Sequence, residues 1–428
     1  MFIARCGATV FVVKQFIVCV PIYFLVAASA GAAGPLTLSE AEALALHDEP
    51  GQARLQAQSD AVAEKAVAGG QLADPRMRAG LMNLPIESGG FTTEGMSQVQ
   101  FGVRQAFPPG RTLQWRTAQL ERKAQALALL SNSRKRDVIA AVRHAWLGVY
   151  YWTHAREIVS ANRPLFSDLV DVTRALYTVG RRNQQDLMQA ELERSRIDDR
   201  LLMIDQSIGE ARSELARWIG SDPAQRAVGP ALPEWDDAPG LVELQHNLQS
   251  FPALTAATQE VAAGEAGINL AEQRYKPGWA LDVGYGYRDG RLPGGGSRSD
   301  FLSVMVSVDL PVFRNKRQDR ILAAAQSERR ASLHAKTELH RVLLQQLQSA
   351  YRRWTDTGAR LELYEQTMLA QAAGQSRAAL KAYQSDAATF SDVMRALTGE
   401  LEVRLDHHRL QVDRDRNYVA LAKLGGLL

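Results

Sequence analysis

The sequence predicts an α+β membrane protein: long antiparallel helices forming a coiled-coil barrel, and four strands per chain lent to a transmembrane β-barrel shared between subunits. Three observations carry this expectation. Beyond the N-terminal segment no stretch approaches 18 consecutive apolar residues, which leaves a barrel as the only membrane-spanning option. Four short segments alternate apolar and polar residues, and two segments of over 60 residues are rich in strong helix formers. The order of these elements occurs twice, so two internal repeats are expected.

Residues 1–33 read as a signal peptide. A sparse basic start (Arg5, Lys14) leads into an apolar run, Phe16 to Ala28, and then into Ala28-Ser29-Ala30-Gly31-Ala32-Ala33, which fits an A-x-A cleavage pattern. Both cysteines, Cys6 and Cys19, lie in this segment, so the mature chain is expected to have no thiol and hence no disulfide. Cys19 follows Phe16-Ile17-Val18 rather than a small residue, so acylation there is not expected. The 428 residues carry a formal charge of +3; without Arg5 and Lys14 the remainder is about +1, and nothing in bulk charge points to nucleic acid.

The first repeat spans 34–220: a helix, a strand hairpin at about 76–108, a long helix, a tip near 177–186 and a return helix. A mid-height linker, 221–250, carries Pro223, Pro230, Pro233 and Pro239. The second repeat, 251–428, has its hairpin at about 278–311 and its tip near 383–392. Local matches keep this order with a growing offset. Asp74-Pro75-Arg76 aligns with Lys276-Pro277-Gly278, Val103 to Pro108 with Val306 to Pro311, and Tyr177 with Tyr383.

The strands read from parity. Val99, Phe101 and Val103 alternate with Gln100, Gly102 and Arg104; Leu281 and Val283 with Asp282 and Gly284; Val304 and Val306 with Ser303, Met305 and Ser307. A barrel with a polar lumen demands this pattern. Val99, Phe101, Val103, Leu281, Val283, Val304 and Val306 are therefore expected to face lipid, and Arg104 and Asp282 the lumen. The segment from Arg76 to Leu84 alternates less cleanly. Two hairpins cannot close a barrel, and open edges do not sit in lipid, so several subunits must share one.

The helical segments run from Arg111 to Leu176 and from Asn315 to Tyr383, each about 100 Å long if straight. Pro164 should kink or restart the first. The return helices carry apolar stripes: Leu187, Met188, Leu192, Leu201, Ile204 and Ile208, then Phe390, Met394, Leu397, Leu401 and Leu405.

Tyr177-Thr178-Val179-Gly180-Arg181 with Asp186-Leu187-Met188-Gln189-Ala190, and the corner Gln105-Ala106-Phe107-Pro108-Pro109-Gly110, resemble the TolC-type outer-membrane factor family across the mature chain. Leu81-Met82-Asn83-Leu84-Pro85 with Met96 resembles its heavy-metal efflux branch. The resemblance implies a homotrimer in the outer membrane of a Gram-negative bacterium, with a twelve-stranded barrel and a twelve-helix tunnel in the periplasm. It also implies a periplasmic adaptor protein on the tips, with Val179, Gly180, Arg181 and Arg182 at the contact, and an inner-membrane pump below. It would pair Tyr383 with Asp186 at a closed entrance lined by Asp392, with Arg395 where a second aspartate stands in the family. The second tip departs further, because Gln384-Ser385-Asp386-Ala387-Ala388 has no Val-Gly pair.

No catalytic, cofactor or metal-ligand set is assigned. His407 and His408 are adjacent on a helix and point about 100° apart. There is no G-x-S-x-G, no H-E-x-x-H and no Walker Gly-Lys loop. Met77, Met82, Met96 and Met305 lie on or near strands, where soft sulfurs suit Cu(I) or Ag(I). The expected function is a passive exit duct of a tripartite efflux system, carrying metal ions or small organic solutes. The alternatives are a periplasmic coiled-coil scaffold or adaptor, and the outer-membrane component of a type I protein secretion system.

Overall fold

The computed structural model describes residues 34–235 and 237–428, so the expected signal peptide lies outside the described residues. Helices α1 (Leu38–His47) and α2 (Pro50–Gly69) lead into the sheet. Thr37 Oγ1 caps the first by accepting from Glu40 N at 3.2 Å, and the Glu49 side chain caps the second, with Pro50 at its first position. Strands β1 (Arg76–Met82) and β2 (Gln98–Phe107) follow, then α3 (Thr112–Thr178), whose 67 residues extend about 100 Å. The return helix α4 (Gln184–Ile219) leads through a single turn, α5 (Ser221–Ala224), to α6 (Leu241–Leu248) and α7 (Pro252–Gln273). Strands β3 (Gly278–Tyr287) and β4 (Phe301–Asp309) precede α8 (Gln318–Leu363), a π-helical turn at Tyr364–Met368, α9 (Leu369–Gln384) and the return helix α10 (Phe390–Gly425).

The strands form one antiparallel sheet in the order β1-β2-β3-β4. Val103 stands opposite Met77 on one side and Val283 on the other, and Val283 opposite Val304. Phe101, Tyr285 and Leu302 form the next row of the same face. Arg76, Arg104, Asp282 and Met305 lie in register on the opposite face. Phe107 and Trp279 stack at 4.0 Å where the apolar face meets the helices. Such an aromatic pair suits a membrane–water boundary.

Helix α3 packs against α2, α4, α7 and α10, and α8 against α7 and α10. One core gathers around Trp146, Leu147 and Leu215, with Trp146 Nε1 donating to Leu36 O at 3.0 Å. A second runs towards the tips through Phe166, Val170, Tyr383, Phe390 and Leu401. The offset of 206 between the tips enters at the strand-to-helix corner, where Pro311 to Gln318 spans three residues more than Pro108 to Thr112.

Four expectations change. Pro164 does not restart α3, which continues through it. A proline removes one backbone donor, and α3 holds its turns by packing on its neighbours along its length. The second long segment is interrupted instead by the π-helical turn at Tyr364–Met368. The stretch 221–250 is not a bare linker: Leu244 and Leu248 of α6 are fully buried against Leu347, Leu421 and Leu424. Met188 and Leu192 are exposed, because no element of the protomer covers that side of α4.

Candidate functional site: barrel face and helical tips

The sheet sorts side chains as strand parity demands. Along β3, Ala280, Asp282, Gly284 and Gly286 are covered, whereas Trp279, Val283, Tyr285 and Tyr287 are exposed. Phe101, Val103, Val304 and Val306 are exposed on the same side as Val283, with Val99 and Leu281 in rows of that face. An exposed apolar face of this extent needs a nonaqueous neighbour or a partner.

The other face is polar. The Asp282 carboxylate is 4% exposed, with Oδ1 3.6 Å from Arg78 Nη1 and Oδ2 3.7 Å from Arg104 Nε. Arg78 reaches it from two strands away by lying over Gly102, where an added Cβ would come within 2.9 Å of its Nε. Gln98 lies over Gly286 in the same manner. Small residues thus form the floor on which long polar side chains rest.

Of the methionines on the strands, Met77 belongs to the apolar face, while Met82 and Met305 belong to the polar one. Met82 pairs with Gln98 and Met305 aligns with Arg104 through Asp282, six residues along β2, or about 20 Å. These sulfurs do not converge. Among the described residues no group of three His, Cys, Asp or Glu side chains is placed to hold a metal ion.

At the other end, the two helical hairpins end in one backbone turn used twice. Gly180 has φ +74° and its N–H donates to Tyr177 O, while Arg181 N–H donates to Leu176 O. Asp386, 206 positions later, has φ +67°; its N–H donates to Tyr383 O, and Ala387 N–H donates to Ala382 O. The missing Val-Gly pair therefore does not change the turn. Asp tolerates the left-handed region better than most side chains.

Tyr383 is buried, but not as the resemblance implied. Its hydroxyl lies 3.2 Å from Thr173 Oγ1, and Asp186 is not its partner. The ring packs in the core between α3 and α10, which turns the hydroxyl towards α3. Arg182 also differs from its expected place on the contact surface. Its guanidinium sits 4.6 Å from the Tyr383 ring centroid and binds Asp386 Oδ1 at 2.8 Å and Ala388 O at 3.3 Å. The Asp386 charge draws it inward, leaving Val179, Gly180 and Arg181 exposed.

Asp392 is the third residue of α10 and forms a capping box, accepting from Thr389 Oγ1 at 2.6 Å and from Thr389 N at 3.2 Å. The Thr389 hydroxyl and backbone hold its carboxyl below the usual carboxylate range, with Arg395 adding a 3.7 Å ion pair. Asp186 occupies the equivalent place in α4, but Asn183 provides no side-chain cap, and the Asp186 carboxylate has no hydrogen-bonded or ionic partner among the described residues. The repeated N-cap position, Asn183 against Thr389, was the sequence signal for this difference.

An antiparallel four-stranded sheet with one apolar face, carried on helices of this length, is the defining arrangement of this fold. Three solved structures share it. The outer membrane protein VceC from Vibrio cholerae is 18% identical with a TM-score of 0.75, covering 91% of this chain and 96% of its own. CusC, in structures described for transmembrane channel formation, is 14% identical with a TM-score of 0.74, covering 91% of each. The MtrE outer membrane channel of Neisseria gonorrhoeae, in its open state, is 15% identical with a TM-score of 0.72, covering 91% of this chain and 88% of its own. No curated protein sequence matches. Residues 244–427 match the outer membrane efflux protein family. The family match and the shared fold together support the TolC-type resemblance, an outer-membrane location, and a channel component rather than an enzyme.

Proposed function

We propose that this chain is one subunit of a homotrimeric outer-membrane channel, the passive exit duct of a tripartite efflux system for metal ions or small organic solutes. The observation that supports it most is the open sheet. Neither β1 nor β4 has a second strand partner among the described residues, yet both carry an apolar face. Four alternating strands leave β4 antiparallel to the β1 of a neighbouring copy, so copies add edge to edge until a barrel closes. Twelve strands from three copies would leave an open lumen, where eight would be filled by side chains. The exposed Met188 and Leu192 would then meet a neighbouring copy in the helical tube. The periplasmic adaptor would dock at Val179, Gly180 and Arg181, above an inner-membrane pump.

Cysteines introduced on β1 and β4 test the closure, because the mature chain is expected to have no thiol of its own. Gly80→Cys and Ser303→Cys, combined in a panel with their strand neighbours, should yield a covalent, heat-resistant trimer in outer-membrane fractions for at least one register. Recovery only of uncrosslinked monomer in a periplasmic fraction would favour the scaffold alternative.

A further inference from the structure

The polar face of the sheet holds more than an alternation. It carries Arg76, Arg78 and Arg104 against Asp282 and Asp309, an excess of one positive charge per chain. Arg78 from β1 and Arg104 from β2 approach the same carboxylate, one to each oxygen. Neither ion pair closes to a hydrogen bond, and Oδ1 of Asp282 has no hydrogen-bond partner. Each arginine side chain stays half exposed, at 51% and 50%, while the Asp282 side chain is covered.

Asp282 is therefore placed as an anchor rather than as a surface charge. Neither guanidinium donates a hydrogen bond to Asp282, so each keeps the five N–H donors of its planar fork. These donors belong to the face of the sheet that the proposed barrel would enclose. Gly102 and Gly284 make this possible: a Cβ at either position would press on Arg78 or on Gln100. Two guanidiniums gathered beside one carboxylate and keeping free donors suit the oxygens of a carboxylate or phosphate group.

We infer that Arg78 and Arg104, positioned by Asp282, form an anion-binding site on the inner wall of the barrel, which favours solutes bearing carboxylate or phosphate groups. The site rests on the channel reading above, since only a closed barrel turns this face inward. Three copies would give a ring of paired guanidiniums, the arrangement that selects anions in pores.

The test uses the full-length channel in planar bilayers, with inorganic pyrophosphate added to the barrel-side compartment. Wild type should show a concentration-dependent reduction of single-channel current. In the Arg78→Gln/Arg104→Gln double variant the half-blocking concentration should rise about tenfold or more, as expected for losing charge-assisted hydrogen bonds. Asp282→Asn raises the net positive charge of the lumen but releases the anchor, so block should weaken; stronger block would overturn the positioned pair in favour of diffuse electrostatics. A conducting, heat-modifiable oligomer whose current is insensitive to pyrophosphate would overturn the site and leave the channel reading standing. Absence of any oligomer or conductance in wild type would remove both.

Discussion

Arg182 and Asp386 meet at 2.8 Å, tying the turn that ends one helical hairpin to the turn that ends the other. The pair joins residues 204 positions apart across a tip that otherwise consists of two short loops. Asp386 is largely exposed, so the ion pair alone contributes about 1 kcal/mol or less. The same guanidinium also covers the Tyr383 ring and binds Ala388 O, so its removal releases three contacts at once. Arg182→Gln should therefore loosen the turn more than the ion pair alone would. Hydrogen exchange should rise across 381–392 while the core around Trp146 keeps its protection. Equal protection in the variant would mean that the tips are held by the Phe390 and Tyr383 packing alone.

The sheet makes an independent prediction. Val103 and Val306 lie on the exposed apolar face, and Arg104 on the polar one. Val103→Arg or Val306→Arg places a charge towards lipid at about 2–4 kcal/mol per subunit near the midplane, so the heat-modifiable oligomer should be lost. Arg104→Gln should leave assembly intact and change conductance. If both faces tolerate substitution equally, the sheet is not in a membrane.

How far the sequence carried these features depends on their range. Strand parity is local, and β3 and β4 each contain whole the alternating runs read for them. β1 stops at Met82, short of Leu84, because Asn83 takes φ +56° and its side chain donates to Met96 O. The second tip looked unlike the first because it lacks glycine, yet Asp386 adopts the same turn, with its carboxylate held by Arg182. That compensation spans the chain and has no local signature. The π-helical turn at Tyr364–Met368 contains neither Pro nor Gly, so composition gave no hint of it. The inward course of Arg182 depends equally on distant residues, Tyr383 and Asp386.

Buried ionisable groups among the long helices predict a pH dependence. Burial pushes the Asp415 carboxyl up to about 7 despite the neighbouring Arg414 charge, and its Oδ2 has no hydrogen-bond partner. Below about pH 4 the group is protonated folded and unfolded, and costs nothing. From there to about pH 7 only the unfolded chain ionises, so stability falls as pH rises, by up to about 4 kcal/mol per subunit. Asp415→Asn should flatten this slope and raise the thermal midpoint at pH 8 more than at pH 5. His144 acts in the opposite direction: burial, with Arg416 and Lys423 nearby, holds it below the ordinary imidazole range, so it withdraws stability as pH falls. Thermal unfolding of purified oligomer between pH 5 and 8.5 separates the two. An unchanged slope in Asp415→Asn would place the dependence elsewhere.

The helical tips give the sharpest contrast, because two equivalent aspartates stand in different local chemistry. Asp392 is committed to the Thr389 capping box and to Arg395, whereas Asp186 has no such partner. A change at Asp392 therefore mixes two effects. Asp392→Ala removes the side-chain half of the capping box as well as a charge, and should loosen the first turn of α10 while Thr389 still caps it. Asp186→Asn removes a charge with no cap to lose, so it isolates the electrostatic contribution at the same height. In the proposed trimer, three copies of Asp186 would ring the pore and favour cations, so Asp186→Asn should lower cation selectivity in planar bilayers with the thermal midpoint unchanged. Arg395→Asp should act in the other direction, because it replaces the charge beside Asp392 with its opposite and leaves the Thr389 box in place. That variant should gain cation selectivity and become sensitive to trivalent cations added from the tip side. If Asp186→Asn and Arg395→Asp both select ions as wild type does, neither carboxylate lies at the constriction, and the narrowest point must be sought along the helical tube.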